Sequence, residues 1–245
     1  MTLQELIYWF GYGLCHQLVE RSFESGGLVF AVCARDTGIH IGFAAALIAA
    51  VGQFFWLRHK GRPVPGDLPT ARVVAFLLIL IAPMALDGAS SYLGLRETTN
   101  LIRYVTGVFT GVACGSLLAP VLAAVSASTD LQSKAYSNPP SLICHLAGSL
   151  FISLLFYLVY PYLSQLSAFI AVAALLSMVI SLNLLIFSVT IIKLRIERFS
   201  TWFFWSSAAL VASLLELALF NLAHFLMLEV MLGTTNLFEG VISLF

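Results

Sequence analysis

The chain has 245 residues, of which 60% are hydrophobic and only 10% are charged, and its mean hydropathy is +0.97. A soluble domain carries about 25% charged residues, so this composition excludes a water-facing surface and indicates a polytopic membrane protein. The formal net charge is zero, which gives no indication of a nucleic-acid partner.

The first apolar run, residues 6–15, is too short to cross a bilayer. A transmembrane helix needs about 20 residues, so this run predicts a re-entrant or interfacial helix. Its aromatic residues, Trp9 among them, are typical of the membrane–water boundary. Ser25-Gly26-Gly27 then predicts a turn, after which the apolar residues 28–33 lead back toward the membrane.

The remaining chain predicts an all-α bundle of six transmembrane helices. Residues 135–192 hold no Asp, Glu, Lys or Arg, and Pro161 divides them into a tight antiparallel hairpin. In the third span, Gly107, Gly111 and Gly115 recur every four residues, a small-residue stripe that lets two helices approach closely. The predicted spans are residues 38–57, 71–87, 104–127, 141–160, 166–192 and 201–232.

Loop charges predict the orientation of the bundle. The loops 58–72, 128–140 and 193–200 fall on one side and hold eight of the twelve Lys and Arg residues. Positively charged loops stay in the cytoplasm, so both termini and the other loops are expected on the outer side. The chain then divides into an outer-face N-terminal segment over 1–37, a transmembrane domain over 38–232 and an outer-face tail over 233–245.

This topology gathers four potential metal ligands near one membrane face: Cys15, His16, Cys33 and Asp36. Thiolate, imidazole and carboxylate all bind zinc, so a divalent metal such as zinc is a candidate cofactor. Two alternatives remain open. Outside the cytoplasm, Cys15 and Cys33 could form a disulfide or a redox pair, or they could be ordinary buried thiols.

Asp87 lies at the end of an apolar helix, where an acid is costly unless it is paired or faces water. We therefore treat Asp87 as a catalytic candidate together with Cys15, His16 and Asp36, with His16 as the base. The alternative is a structural partner for the arginines nearby. Five residues are candidates for binding an anionic substrate, because guanidinium groups suit phosphate and carboxylate: Arg21, Arg35, Arg96, Asn100 and Arg103.

The last span carries a polar stripe formed by Glu216, Asn221 and His224. Residues three, four or eight positions apart lie on nearly the same face of a helix. The stripe is either a proton path or ligand wall, or it holds helices together by hydrogen bonds to Asn183, Ser177, Ser181 or His145.

Several motifs, in this order along the chain, resemble the "domain of unknown function 2085" family. They are CHQ (15–17), ERSF (20–23), CARDTGIHIG (33–42), ALDG (85–88) and ETTNLIRYVTG (97–107). The resemblance covers about residues 15–111 and implies a multi-pass protein of the prokaryotic cytoplasmic (inner) membrane. It implies no reaction. In relatives we expect a second Cys in place of Asp36 and an aromatic residue in place of His40. The presence of Asp36 weakens the case for a thiol-rich metal site in this chain.

These observations favour a polar Cys/His/Asp/Arg site at the outer membrane face. It would bind a metal or act as a thiol pair, and would handle a lipid-borne or anionic small molecule. Two alternatives are an accessory or assembly subunit of a larger membrane complex and a transporter of small solutes or ions. The expected partners are membrane lipid and, for the accessory role, other membrane subunits.

Overall fold

The computed structural model describes residues 2–124, 129–190 and 199–232, with side chains except at 188–190, 199–203 and 229–232. Short 3₁₀ turns at Val19–Arg21 and Tyr160–Tyr162 supplement the helices and strands. The elements are α1 Leu3–Gly11, β1 Ser22–Ser25, β2 Leu28–Cys33, α2 Ala34–His59, β3 Val64–Asp67, α3 Ala71–Ile79, α4 Ala82–Tyr92, α5 Asn100–Ala124, β4 Thr129–Lys134, α6 Pro139–Val159, α7 Leu166–Thr190 and α8 Phe199–Leu232.

Six segments of the described chain are long and apolar enough to cross a membrane, which confirms the predicted all-α bundle of six spans. Several spans begin earlier than predicted, most clearly α2 and α5. The predicted tail over 233–245 lies outside the described residues, as do the ends of the third and fifth predicted spans. The segments are Ala34–His59, Ala71–Tyr92, Asn100–Ala124, Pro139–Tyr162, Leu166–Phe187 and Phe204–Leu228.

The N-terminal segment is a short helix followed by a β-hairpin. Thr2 and Glu5 form a capping box that starts α1, which has only nine residues. The predicted turn is confirmed: Gly26 and Gly27 both have positive φ angles, which glycine adopts without a steric penalty. The run 28–33 is therefore a strand, β2, and it leads directly into α2.

The second span differs from the single helix predicted over 71–87. It breaks between α3 and α4 at Leu80 and Ile81, just before Pro83. Proline has no backbone N–H and is tolerated in the first turn of a helix, so a new helix starts there. Because α4 continues to Tyr92, Asp87 lies inside this helix and is buried.

Helices α2 and α5 form the most extensive helix–helix contact in the described bundle. A Cβ atom on Gly107 or Gly111 would collide with the carbonyl oxygen of Arg35 or Ile39, respectively. The predicted glycine stripe on α5 thus has its expected effect. Its counterpart on α2 also consists of glycines, since Gly38 and Gly42 lie against backbone carbonyls of α5.

Aromatic packing anchors the β1–β2 hairpin to the end of the bundle where α2 begins. Phe23 of β1 is buried and contacts the rings of Tyr104, Tyr157 and Tyr160. The Ser25 hydroxyl donates to the Tyr160 carbonyl at 3.0 Å. These contacts fix β1 against α5 and the end of α6. Because β1 pairs with β2, they also hold β2 and the start of α2 there. At the opposite end, β3 and β4 pair in parallel.

Candidate functional site

Three potential metal ligands meet where β2 becomes α2. Cys33 is the last residue of β2 and stands at the N-cap position of α2, Asp36 lies in the first turn of α2, and Cys15 follows α1. One ligand atom from each of the three lies within 4.8 Å of the other two. The Cys33 backbone N–H donates to the Cys15 sulfur at 3.3 Å, and the Cys33 sulfur lies 3.3 Å from Asp36 Oδ2. We call these residues the thiol–carboxylate cluster.

Hydrogen bonds within this cluster make its two thiols unequal. The pKa of Cys15 is lowered to about 7, chiefly because the Cys33 thiol donates to it. The pKa of Cys33 is raised, because its proton is held in that bond and its sulfur is partly buried. The Cys33 proton has two acceptors within reach, the Cys15 sulfur and the Asp36 carboxylate. Neither cysteine is in a disulfide.

A cavity of about 130 Å³ adjoins the cluster, and both Cys15 and Cys33 line it. His16 also lines the cavity, but its ring nitrogens do not belong to the group of closely spaced ligand atoms, so its roles as ligand and base stay predictions. The other lining residues are Gln17, Leu18, Arg21, Arg35, Ser91, Tyr92 and Arg103.

Asp87 is the centre of a buried ion-pair network behind the cavity. Its carboxylate pairs with Arg35 and with Arg96, and it accepts a hydrogen bond from Thr98 Oγ1 at 2.8 Å. The Nε of Arg96 also donates to the Ser90 hydroxyl at 3.0 Å. The Asp87 side chain is only 1% exposed. This geometry matches the structural alternative for Asp87, and its catalytic role stays a prediction.

Asn100 orients Arg103, and it is not among the described residues that line the cavity. Its Nδ2 donates to the carbonyls of Glu20 and Ser22, both at 3.3 Å, and its Oδ1 accepts from Arg103 Nη1 at 3.0 Å. The Arg103 guanidinium is therefore held at the cavity wall. Arg96 likewise belongs to the Asp87 network, so the contacts of both residues with a substrate stay predictions.

The polar residues of α8 have separate partners. Glu216 accepts a hydrogen bond from Asn183 Nδ2 of α7 at 2.9 Å. Asn221 accepts from the Gly13 N–H at 2.7 Å and donates to the Trp9 carbonyl at 2.8 Å. The His224 ring lies against Tyr12, with 4.8 Å between centroids. These contacts match the alternative in which polar side chains hold helices together.

Two residues close to the cluster, Gln17 and His40, lie in motifs of the sequence but were not predicted as site residues. Gln17 has a φ angle of 50° and donates to the carbonyls of Tyr8 and Ala31, so it ties α1 to β2. Its position inside the CHQ motif was the available signal. His40 lies one turn below Asp36, and its buried Nδ1 has no hydrogen-bond partner among the described residues.

Comparisons with known proteins match the first half of the chain. The family described as predicted membrane protein, domain of unknown function 2085, matches residues 15–117. An uncharacterised protein of Methanocaldococcus jannaschii is 32% identical over 108 residues, which are 44% of this chain and 63% of that protein. An uncharacterised protein of Methanothermobacter thermautotrophicus is 33% identical over 104 residues, which are 42% of this chain and 83% of that protein. No solved structure matches.

Proposed function

Since this chain belongs to the domain of unknown function 2085 family of predicted membrane proteins, we propose that its thiol–carboxylate cluster binds a divalent metal, with zinc as the best fit. The observation that carries the proposal is the grouping of the ligand atoms of Cys15, Cys33 and Asp36 within 4.8 Å. Tetrahedral zinc with bonds of about 2.0–2.3 Å holds its ligand atoms somewhat closer than this, so a small inward shift suffices.

The type and number of ligands favour zinc at a reactive site. Two thiolates select a soft or borderline metal over magnesium or calcium. Three protein ligands leave one position of a tetrahedral zinc ion open, which is the pattern of catalytic zinc sites. Because Cys15 and Cys33 both line the cavity, the open position would face it.

Local electrostatics support deprotonated ligands. Cys33 occupies the N-cap position of α2 and Asp36 lies in its first turn, where the helix macrodipole favours negative charge. The lowered pKa of Cys15, to about 7, makes a thiolate available near neutral pH. Cys33, whose pKa is raised while its thiol donates to Cys15, would lose its proton to a bound metal, because the metal binds the thiolate form.

We propose that the site lies at the outer face of a prokaryotic cytoplasmic membrane and handles an anionic or lipid-borne small molecule. Arginines in the cavity wall supply the charge complementarity. Exposed apolar helix faces surround the bundle and contact membrane lipid.

The metal content of the full-length protein in detergent tests this proposal. We expect about one zinc per chain after incubation with zinc and removal of excess, and a loss of most of it in Cys33→Ser and in Asp36→Ala. Cys144→Ser is the matched control, because Cys144 is exposed on α6, outside the cluster. Zinc content that is unchanged in both cluster variants, or absent from the unaltered protein, would overturn the proposal.

A second candidate function, dithiol–disulfide exchange, is favoured by the inequality of the two thiols. The Cys15 thiolate would attack a substrate disulfide and release one substrate thiol. Cys33 would then attack the Cys15 sulfur and release the second, so the substrate gains two electrons and two protons. This function predicts a Cys15–Cys33 disulfide in metal-free protein equilibrated with glutathione buffers, seen as a mass lower by two hydrogens. Full retention of both free thiols across oxidising buffers would exclude it.

A further inference from the structure

We propose that the cavity beside the cluster is a binding site for a phosphate-type oxyanion, held by Arg21, Arg35 and Arg103. The inference rests on the proposed function, since it names the class of ligand that would reach the open position of the metal. Its evidence is independent of the cluster and comes from the charge, the hydrogen-bond donors and the surroundings of the cavity.

The cavity wall carries an excess of positive charge. Three arginines line it, and no acidic residue is among the lining residues in the part of the chain that is described. Arg35 is balanced by Asp87, but Asp87 also pairs with Arg96. Neither Arg21 nor Arg103 forms an ion pair within the described ranges, so their charges remain for an anion in the cavity.

Arg35 has a donor that the protein leaves unsatisfied. Its Nη2 bonds to Asp87, but its Nε is buried and has no acceptor among the described residues. Buried N–H groups are almost always hydrogen-bonded, so an unpartnered one in a side chain that lines a cavity indicates a missing acceptor. An oxyanion in the cavity, after a small adjustment of the Arg35 side chain, would supply an oxygen acceptor.

One arginine is positioned before any ligand arrives. Asn100 holds Arg103 through its Nη1, and Arg21, the last residue of the Val19–Arg21 turn, lines the same cavity. Guanidinium groups bind phosphate in a bidentate manner, which gives both charge complementarity and orientation. The Cys15 sulfur lines the same cavity, so the bound oxyanion would lie beside the cluster.

The surroundings suit an oxyanion carried on an apolar tail. The cavity, at about 130 Å³, exceeds the space a single water needs but admits only a small group. Its rim includes Tyr92, which is 76% exposed, and Leu93 and Leu95 follow with 72% and 75% exposure. A lipid phosphate and free phosphate share the chemistry that the arginines recognise, so the experiment separates the two sources.

The test is calorimetric titration of the full-length protein in detergent with inorganic phosphate and, separately, with dihexanoyl phosphatidic acid. We expect at least one of them to bind, and the affinity to fall at least tenfold in the double variant Arg21→Gln/Arg103→Gln. Arg72→Gln is the matched control, because Arg72 is exposed at the far end of the span that contains Tyr92. The double variant Arg21→Lys/Arg103→Lys, which keeps the charge without the planar fork, is expected to bind with intermediate affinity.

Each outcome has a defined meaning. Tighter binding of phosphatidic acid than of phosphate identifies the lipid as the source, and equal binding identifies free phosphate. Binding of neither probe, or equal affinity in the unaltered protein and the Gln double variant, would overturn the inference. Zinc content of the same Gln variant is expected to stay unchanged. If zinc never binds but phosphate binding still depends on the two arginines, the metal proposal fails and the oxyanion site stands.

Discussion

Asp87 links three segments of the chain through one buried carboxylate. Arg35 comes from the first turn of α2, and Arg96 and Thr98 come from the loop before α5. Burying a charge is costly unless it is paired and hydrogen-bonded, and here both oxygens of the carboxylate have partners. The network therefore stabilises the wall of the cavity only while all of its members are present.

Replacement of Asp87 by Asn is expected to destabilise the protein. The change leaves the largely buried Arg35 without its counter-ion, and breaking a buried pair in this way costs about 3 kcal/mol. For a chain of this size, that corresponds to a fall of about 10 °C in the unfolding temperature. Thermal unfolding in detergent measures it, with Glu97→Gln as the control, because Glu97 is an exposed acid in the loop that carries Arg96 and Thr98. Equal unfolding temperatures for the two variants would contradict the buried network.

The Cys15 thiol is expected to react at neutral pH. With its pKa lowered to about 7, the thiolate fraction rises with pH and is half-maximal near pH 7. The pH dependence of alkylation measures this in metal-free protein that lacks Cys114 and Cys144. In addition, Cys33→Ala removes the donating thiol, so the half-maximal pH is expected to rise toward the ordinary thiol value of about 8.5. An unchanged midpoint in Cys33→Ala would show that the donor is not Cys33.

At the scale of elements, the interlocked glycines of α2 and α5 determine how closely the two helices pack. They are Gly38 and Gly42 on α2 and Gly107 and Gly111 on α5. Gly111→Val is expected to force these helices apart, because its Cβ would meet the Ile39 carbonyl and the Phe43 amide. Overpacking of this kind costs about 1–3 kcal/mol or more. Thermal unfolding checks this against Gly52→Val on α2, where nothing lies within 4 Å of the added Cβ. A similar loss in both variants would mean that helix propensity, not the contact, is responsible.

Hydropathy predicted the spans because a run of apolar residues is a local property. The break at Leu80 was not predicted, since residues 73–86 are continuously apolar and Pro83 was the only local sign of it. Among site residues, Cys15, Cys33 and Asp36 were identified by their chemistry and by topology. The pairing of Asp87 with Arg35 and Arg96, rather than with Arg21 or Arg103, depends on side-chain geometry that spacing along the chain does not encode.

At the scale of the whole molecule, the site occupies one half of the chain. Every residue of the cluster, the cavity wall and the Asp87 network falls within residues 15–117, where the family matches. The M. thermautotrophicus relative aligns over 83% of its length but only 42% of this chain, so it is about half as long. We expect the relatives to share the site with this chain. We expect α6–α8 to stabilise the N-terminal segment from the side, as Asn221 does by accepting from the Gly13 N–H.

The orientation of the bundle predicts which loops an impermeant reagent reaches. Positively charged loops are expected inside, so Glu97→Cys, in the loop near the cavity, should be labelled by an impermeant maleimide in intact cells. Lys60→Cys, at the opposite end of α2, should be labelled only after the cells are broken. Both substitutions are made in protein without its native cysteines. The reverse labelling pattern would place the cavity on the cytoplasmic side.

The interlocked glycines also set a register. At Gly38 and Gly107 the backbones of α2 and α5 are in contact, so α2 cannot slide along α5 in small steps. The next equivalent packing position is one helical turn away, about 5.4 Å. A displacement of that size would carry Cys33 and Asp36 away from Cys15, whose position is fixed by α1 and α8. The spacing of glycines in the bundle interior thus fixes the axial register of α2 on α5, and the alignment of the ligands at the membrane edge depends on that register.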